Sequence, residues 1–253
     1  MTPGTLWLVP NTLDLGTDAV DIRDVIPDGV LRRAAGLAHW VAEDARSTRA
    51  FLKRVGAVVP LAQALQATDI HELPRPRKGS GELPDQAAWR ALLQPALDGH
   101  DMGLISEAGL PAVADPGAAL VAAAHALGVP VRPLAGASSL LLALAASGLN
   151  GQSFAFVGYV PQEATARVAR IRELETLSRR WQQTQLMIET PYRNTALFEA
   201  LVATLAGETR LSVCSGLTLA TEATRTLTVA QWRGQPGRRA ENGLPTVFGL
   251  LAT

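Results

Sequence analysis

Short apolar runs that stop abruptly at small or turn-forming residues recur along the chain, with stretches at helical spacing between them. Thr5 to Val9, closed by Pro10 and Asn11, predicts a first strand. Residues 13–33 carry apolar and acidic positions at loosely helical spacing and predict one helix. His39 to Ala42 predicts a second strand, followed by a helix to about Val55 that Ser47 or Thr48 is placed to cap. A helix over 86–97, a strand over Met102 to Ile105 and a helix over 117–127 follow. Val129 to Leu134 predicts the next strand, with Pro130 and Pro133 near its ends. Leu140 to Ala146 is apolar all round, which predicts a fully buried helix. Strand alternating with helix at this spacing implies a parallel sheet.

The pattern changes after Gly148-Leu149-Asn150-Gly151, which places a domain boundary there: residues 1–149 and residues 150–253. Phe154 to Tyr159 predicts a strand, and residues 166–181 an amphipathic helix whose stripe is Ile171, Leu174, Leu177 and Trp181. Strands are predicted at 186–189, 211–214, 227–232 and 246–251, with a helix over 194–205. Adjacent strands without intervening helices predict a mixed second sheet. The fold class expected is α/β, two domains, the first with a mostly parallel sheet and the second with a mixed one.

The stretch that organises the chemistry is Asp101 to Gly117. Its strand breaks into Ser106-Glu107-Ala108-Gly109, and in open α/β sheets ligands sit at the carboxyl edge of the strands. Small side chains there let a ligand approach the backbone. An ordinary strand-to-helix connection would look the same. A second small-residue loop, Ala135 to Ser139, opens the apolar helix, whose free first-turn amides favour an anion such as a carboxylate. Residues 68–85, with three prolines and the basic trio Arg75, Arg77 and Lys78, read as an exposed, mobile loop.

Composition narrows the classes. The 23 basic and 23 acidic residues cancel, so no global field draws the chain to nucleic acid or anionic lipid. Cys214 is the only cysteine and lies in an apolar run, which excludes an intrachain disulfide and suits a small core residue. The four histidines lack ligand spacing, so no metal site is expected. No secretory signal is expected from MTPGTLWLVP, and Leu140 to Ala146 is too short to span a bilayer. A cytoplasmic protein without membrane contact is expected.

Seven segments, in order, carry a resemblance: GTLWLVP at 4–10, AEDAR at 42–46, ISEAGLPAVADPG at 105–117, PLAGASS at 133–139, GYVP at 158–161, IETPYR at 188–193 and LPTVFGLL at 244–251. Together they resemble the tetrapyrrole methylase family of S-adenosylmethionine-dependent methyltransferases, nearest its branch of small-subunit ribosomal RNA cytidine 2′-O-methyltransferases. The resemblance implies S-adenosylmethionine as cofactor in a cleft between two domains, ribosomal RNA as partner and a homodimer. Carried over residue by residue, it implies that Pro10, Glu107, Ala108, Gly109, Gly136, Ala137, Ser138 and Ser139 hold the cofactor. Tyr192, Leu217, Thr218, Pro245 and Thr246 are implied from the second domain. Two segments depart from the branch: the loop after the first strand reads Asn11-Thr12-Leu13-Asp14-Leu15-Gly16, and Ile70 to Pro84 replaces a segment bearing histidine and asparagine.

Methyl transfer is an in-line displacement in which the enzyme mainly orients donor and acceptor, and a hydroxyl acceptor gains from a general base. Glu43 and Asp44 are the candidate bases, with Arg46 to orient a phosphate or carboxylate. The competing assignment is a pair of helix-start acids with a surface ion pair. Glu189 and Arg193 read as a structural pair. Besides a ribosomal RNA methyltransferase, a methyltransferase acting on a tetrapyrrole or other small molecule and a non-catalytic cofactor-binding protein remain open.

Overall fold

The computed structural model describes residues 2–14, 16–17, 20–74, 85–235, 237, 240 and 243–253. The basic trio Arg75, Arg77 and Lys78 lies outside them. Contacts divide the chain into two units, Met1–Ala137 and Ser138–Thr253.

The first unit runs β1 (Leu6–Leu8), α1 (Ile22–Val25), α2 (Asp28–Ala35), β2 (His39–Ala42), α3 (Ala45–Val58), β3 (Asp69–Glu72), α4 (Gln86–Leu92), α5 (Gln94–Leu97), β4 (Met102–Ile105), α6 (Ala118–Ala126) and β5 (Val131–Pro133). Its five strands are all parallel in the order β3-β2-β4-β1-β5. Alternation along the strands serves two apolar layers. Trp7, Trp40 and Ile105 pack with Leu31, Phe51 and Leu52 from α2 and α3, whereas Leu6, Met102 and Leu104 pack with Leu93 and Leu120 towards α4 and α6. On the α2–α3 face the Trp40 ring lies over Gly103 of the neighbouring strand, where a Cβ would come within 2.6 Å of it. Gly103→Ala is therefore expected to cost about 1–3 kcal/mol through overpacking, read as a lowered melting temperature.

Several expectations are corrected here. Residues 13–33 do not form one helix: Asp21 caps α1 by accepting the Arg23 N–H, and Pro27 starts α2 after a break. The helix expected over 86–97 is interrupted at Leu93, with Pro95 in the first turn of α5. The α3 cap is Asp44 and not Ser47 or Thr48; its carboxylate accepts the Ser47 N–H at 2.6 Å. Within the expected loop 68–85, Asp69–Glu72 is an edge strand. Its polar sequence, DIHE, suits an edge where one side of the backbone stays unpaired in the sheet.

The second unit runs α7 (Ser139–Ser147), β6 (Phe154–Phe156), α8 (Ala164–Trp181), β7 (Thr184–Glu189), α9 (Asn194–Thr204), β8 (Arg210–Ser215), β9 (Ala223–Thr228), α10 (Val229–Arg233) and β10 (Thr246–Leu251). Its sheet order is β6-β7-β10-β8-β9; β6 pairs parallel with β7 and the other pairs are antiparallel, the mixed sheet expected. Helix α7 packs on β8, β9 and β10, so the division falls before it and not after Leu149. That helix is not buried all round: Leu140, Ala143, Leu144 and Ser147 face inward, while Leu141 is 53% and Leu142 39% exposed. On α8 the buried stripe is Ile171, Leu174, Glu175 and Ser178, and Trp181 is exposed. The strand expected over 227–232 ends at Thr228. From there a capping box, Thr228 with Gln231, starts α10. Cys214 is buried and unbridged, with its thiol 3.7 Å from the Ala143 carbonyl.

Candidate functional site

All strands of the first sheet point the same way, so their carboxyl ends form one edge. The chain moves from β1 to β2 on one side and from β4 to β5 on the other, which makes the neighbouring β1 and β4 the point where strand order reverses. That is the ligand edge of such sheets. Three segments converge on it. After β1, Asn11 exchanges backbone hydrogen bonds with Gly109, its N–H reaching the Gly109 carbonyl at 2.9 Å and the Gly109 N–H returning at 3.2 Å. The Asn11 side-chain amide also donates to the carbonyls of Ser106 (3.1 Å) and Glu107 (3.0 Å), stapling the loop after β4. After β5, Gly136 lies so close to Pro10 that a Cβ there would sit 2.3 Å from the proline ring carbons. Gly109, at φ +67°, stands beside Leu13 and the Ala137 carbonyl. Pro10, Glu107, Ala108, Gly109, Gly136 and Ala137 are thus brought together.

Beyond Gly109 the chain passes through Ala112 and Ala114, both at positive φ, before Gly117 at φ +128°. Left-handed alanines are strained and persist only where their surroundings impose them. Ser106 is 2% exposed and its Oγ has no hydrogen-bond partner among the described atoms.

The acids expected after β2 separate in role. Asp44 is occupied as the α3 cap. The Glu43 carboxylate accepts the Glu107 N–H at 3.1 Å, linking the ends of β2 and β4. Arg46 is exposed on the first turn of α3. Near Glu43 stands a residue that sequence reasoning missed, Asp115. Burial, then the charges of Glu43 and Glu107, push its carboxyl up to about 7. The available signal was that Asp115 is the lone acid between Glu107 and Glu163.

Sequence reasoning also missed a buried ion pair. Arg54 of α3 donates to Asp14 Oδ1 (3.2 Å), Thr12 Oγ1 (3.1 Å) and the Val20 carbonyl (2.8 Å), and also stands 3.1 Å from Asp14 Oδ2. Burial alone would raise the Asp14 carboxyl; the Thr12 hydroxyl, Arg54 and the Gly16 N–H outweigh it and hold it below the usual carboxylate range. A small cleft opens here, with Asn11, Ser47, Arg54 and Glu107 in its wall.

The second unit has its own cluster. Ser138 precedes α7 with no side-chain capping bond, and Ser139 is the first residue of that helix. The Gly216 N–H donates to the Pro245 carbonyl at 2.9 Å, which joins Leu217 and Thr218 to Pro245 and Thr246. Thr218 is at φ +72° and its N–H donates to Glu222. The Thr246 hydroxyl is engaged with Asn194, Ser215 and the Leu244 carbonyl, and its backbone lies in β10 between Glu189 of β7 and Ser215 of β8. Tyr192 is 70% exposed beneath the Arg193 guanidinium. Arg193 donates twice to the buried Glu189, at 3.0 and 2.7 Å, the structural pair expected. Among the described residues no group of three or more His, Cys, Asp or Glu is arranged to hold a metal ion, and no helix is long and apolar enough to cross a membrane.

The comparisons with known proteins agree with this geometry. A family model described as Tetrapyrrole (Corrin/Porphyrin) Methylases matches residues 31–232. The chain is 31% identical over 233 residues to "Ribosomal RNA small subunit methyltransferase I" of Pseudomonas aeruginosa, covering 91% of this chain and 72% of that one. It is 34% identical over 202 residues to the protein of the same name from Micromonospora olivasterospora, covering 80% of this chain and 56% of that one. The crystal structure of the methyltransferase CobJ superposes with a TM-score of 0.59 at 16% identity, covering 99% of this chain and 95% of that one, a likeness of fold. With its ligand edge built as described, the chain belongs to the tetrapyrrole (corrin/porphyrin) methylase family.

Proposed function

We propose that this methyltransferase takes its methyl group from S-adenosylmethionine and transfers it to a ribose 2′-hydroxyl of small-subunit ribosomal RNA. The observation that carries the cofactor is the convergence of Pro10, Gly109 and Gly136, where the loops after β1, β4 and β5 pack closely together at the carboxyl edge of the parallel sheet. Its amide-rich turns and the unpartnered Ser106 hydroxyl suit the polar groups of an amino-acid-bearing nucleoside. When bound, the cofactor supplies an electrophilic methyl on a sulfonium. The residues here hold and orient it, and orientation is most of what an in-line displacement needs.

The acceptor assignment is supported by the two relatives, whose names state ribosomal RNA small-subunit methylation. The cleft walled by Asn11, Ser47 and Glu107 lies beside that convergence and is where an acceptor is placed in this reading. Tyr192, Leu217, Thr218, Pro245 and Thr246 remain assigned to the cofactor by the resemblance, which also implies the homodimer.

The test is transfer of isotopically labelled methyl from S-adenosylmethionine to small ribosomal particles that lack modification. The expected result is label in a 2′-O-methyl nucleoside after digestion, with micromolar cofactor binding in a calorimeter that Gly109→Trp abolishes. Label found only in a tetrapyrrole or other small-molecule fraction would move the reading to that acceptor. Binding without transfer to any fraction would make the chain a cofactor-binding protein.

A further inference from the structure

The chain has two tyrosines, Tyr159 and Tyr192, and both stand exposed at one edge of the second sheet. β6 and β7 are neighbouring parallel strands, and each tyrosine follows the carboxyl end of one of them. Gly158, at φ +72°, accepts the Ile188 N–H at 3.2 Å, and Tyr159 comes next, 57% exposed. The turn Pro191–Arg193 follows β7 and carries Tyr192, 70% exposed. Firm anchors flank both rings. Val160, beside Tyr159, is buried in the core, and Asn194, two residues after Tyr192, is buried and donates to the Leu244 carbonyl at 2.8 Å. The Arg193 guanidinium lies 5.2 Å from the Tyr192 ring centroid and covers one side of it, so the exposure belongs to the other side. Two hydrogen bonds to the buried Glu189 fix that guanidinium. Glu189 foremost holds the Arg193 pKa up, and the phenols of Tyr192 and Tyr159 act in the same direction, so both rings bear on one cation.

We propose that Tyr159 and Tyr192 form a stacking platform for an unpaired base of the acceptor RNA. This rests on the reading of the acceptor as RNA and gives that RNA a contact surface on the second unit. Every base presents a π face, and a tyrosine, with two side-chain torsions, loses little freedom on stacking. Charge favours a base over a macrocycle. Arg193 already faces Glu189, so the platform offers a flat surface with its cation matched. That suits a neutral base better than a tetrapyrrole carrying several carboxylates, each of which needs a cation of its own. Proteins that read RNA by sequence commonly hold unpaired bases splayed out on aromatic rings, and a base held here would fix the strand that presents the ribose. The resemblance counts Tyr192 with the cofactor, and adenine is also a base, so the experiment separates the two owners.

The experiment labels the tyrosine rings of the full chain with ¹³C, where two tyrosines give two sets of NMR signals, assigned through Tyr159→Phe and Tyr192→Phe. A single-stranded RNA of about eight nucleotides should move both sets upfield, the direction a stacked base imposes. The same strand annealed to its complement should leave them in place, because its bases already stack on one another. Tyr159→Ala should bind the single strand about tenfold or more weakly, while Tyr159→Phe stays within about threefold of the wild type. The salt dependence of Tyr159→Ala binding should keep the wild-type slope, since no phosphate contact is lost. Its melting temperature and its calorimetric affinity for S-adenosylmethionine should match the wild type, because the ring removed is exposed. Rings that respond to S-adenosylhomocysteine or to a carboxylated porphyrin and not to RNA overturn the platform. So does an equal response to the duplex, or a Tyr159→Ala affinity within about threefold of the wild type. Failure of the functional reading looks different: the wild type then transfers no methyl to small ribosomal particles, which removes the RNA acceptor and the platform with it.

Discussion

Arg54→Met is expected to cost about 3–5 kcal/mol of stability at pH 7, because it leaves the Asp14 carboxylate buried with no cation. The Asp14 side chain is 0% exposed and that of Arg54 12%. Methionine retains much of the arginine stem's apolar packing, so the loss is of the charge and its hydrogen bonds. The pH dependence has a definite sign. Asp14 titrates below the ordinary value in the wild-type fold, so its contribution is present above about pH 4 and is lost as pH falls through the lowered value. In Arg54→Met, burial has no cation to oppose it and raises Asp14 instead, so the variant recovers when that carboxyl protonates. Urea unfolding followed by tryptophan fluorescence should show a large gap between the two proteins at pH 7 and a small one near pH 3. An equal gap at both pH values would mean that packing and not charge is what Arg54 supplies. Thr12 and Val20 are also tied to Arg54, so the loop that lines the cleft should loosen with it.

Gly136→Val is expected to lower affinity for S-adenosylmethionine by about a hundredfold or more, while the protein still folds. A side chain at Gly136 meets the ring of Pro10 at 2.3 Å, and that ring cannot rotate away. The loop after β5 must then lift from the end of β1, at a stability cost of about 1–3 kcal/mol. The convergence of loops needs its segments within a fraction of an ångström, so binding suffers more than folding. Gly151→Ala is the control, since a Cβ there meets nothing within 4 Å and its φ is not positive. Calorimetric titration beside thermal melting separates the effects. Wild-type affinity in Gly136→Val would show that the loop after β5 does not hold the cofactor.

Sequence-based reading succeeded where a short-range rule coincided with burial. His39–Ala42 and Met102–Ile105 are uninterrupted non-acidic runs ended by polar or small residues, and both are inner strands, flanked on each side in the sheet. It failed where a cap or an edge overruled composition. Residues 229–232 have strand-like side chains, yet the reciprocal bonds of Thr228 and Gln231 start a helix there. Trp181 fits an apolar stripe by spacing, but it stands at the last turn of α8, past the end of the buried stripe. The exposed leucines of α7 follow from the same limit, since only one side of that helix meets β8, β9 and β10.

What the sequence by itself determined is therefore local: which runs are strands, where the small-residue loops fall between them, and through the ordered motifs, the family. Only the tertiary structure decided which side chains share an environment. Asp44 and Glu43 are adjacent in the chain, yet one caps a helix and the other reaches across to the end of β4. Asp115 has nothing unusual in its sequence neighbourhood beyond the lack of other acids. Its acidity is set by burial and by two carboxylates that the parallel sheet delivers to the same edge. Asp14 and Arg54, far apart in sequence, become a buried pair by the same route. Burial and Coulomb energy depend on distance in space, and chain order does not encode that distance until the sheet has formed.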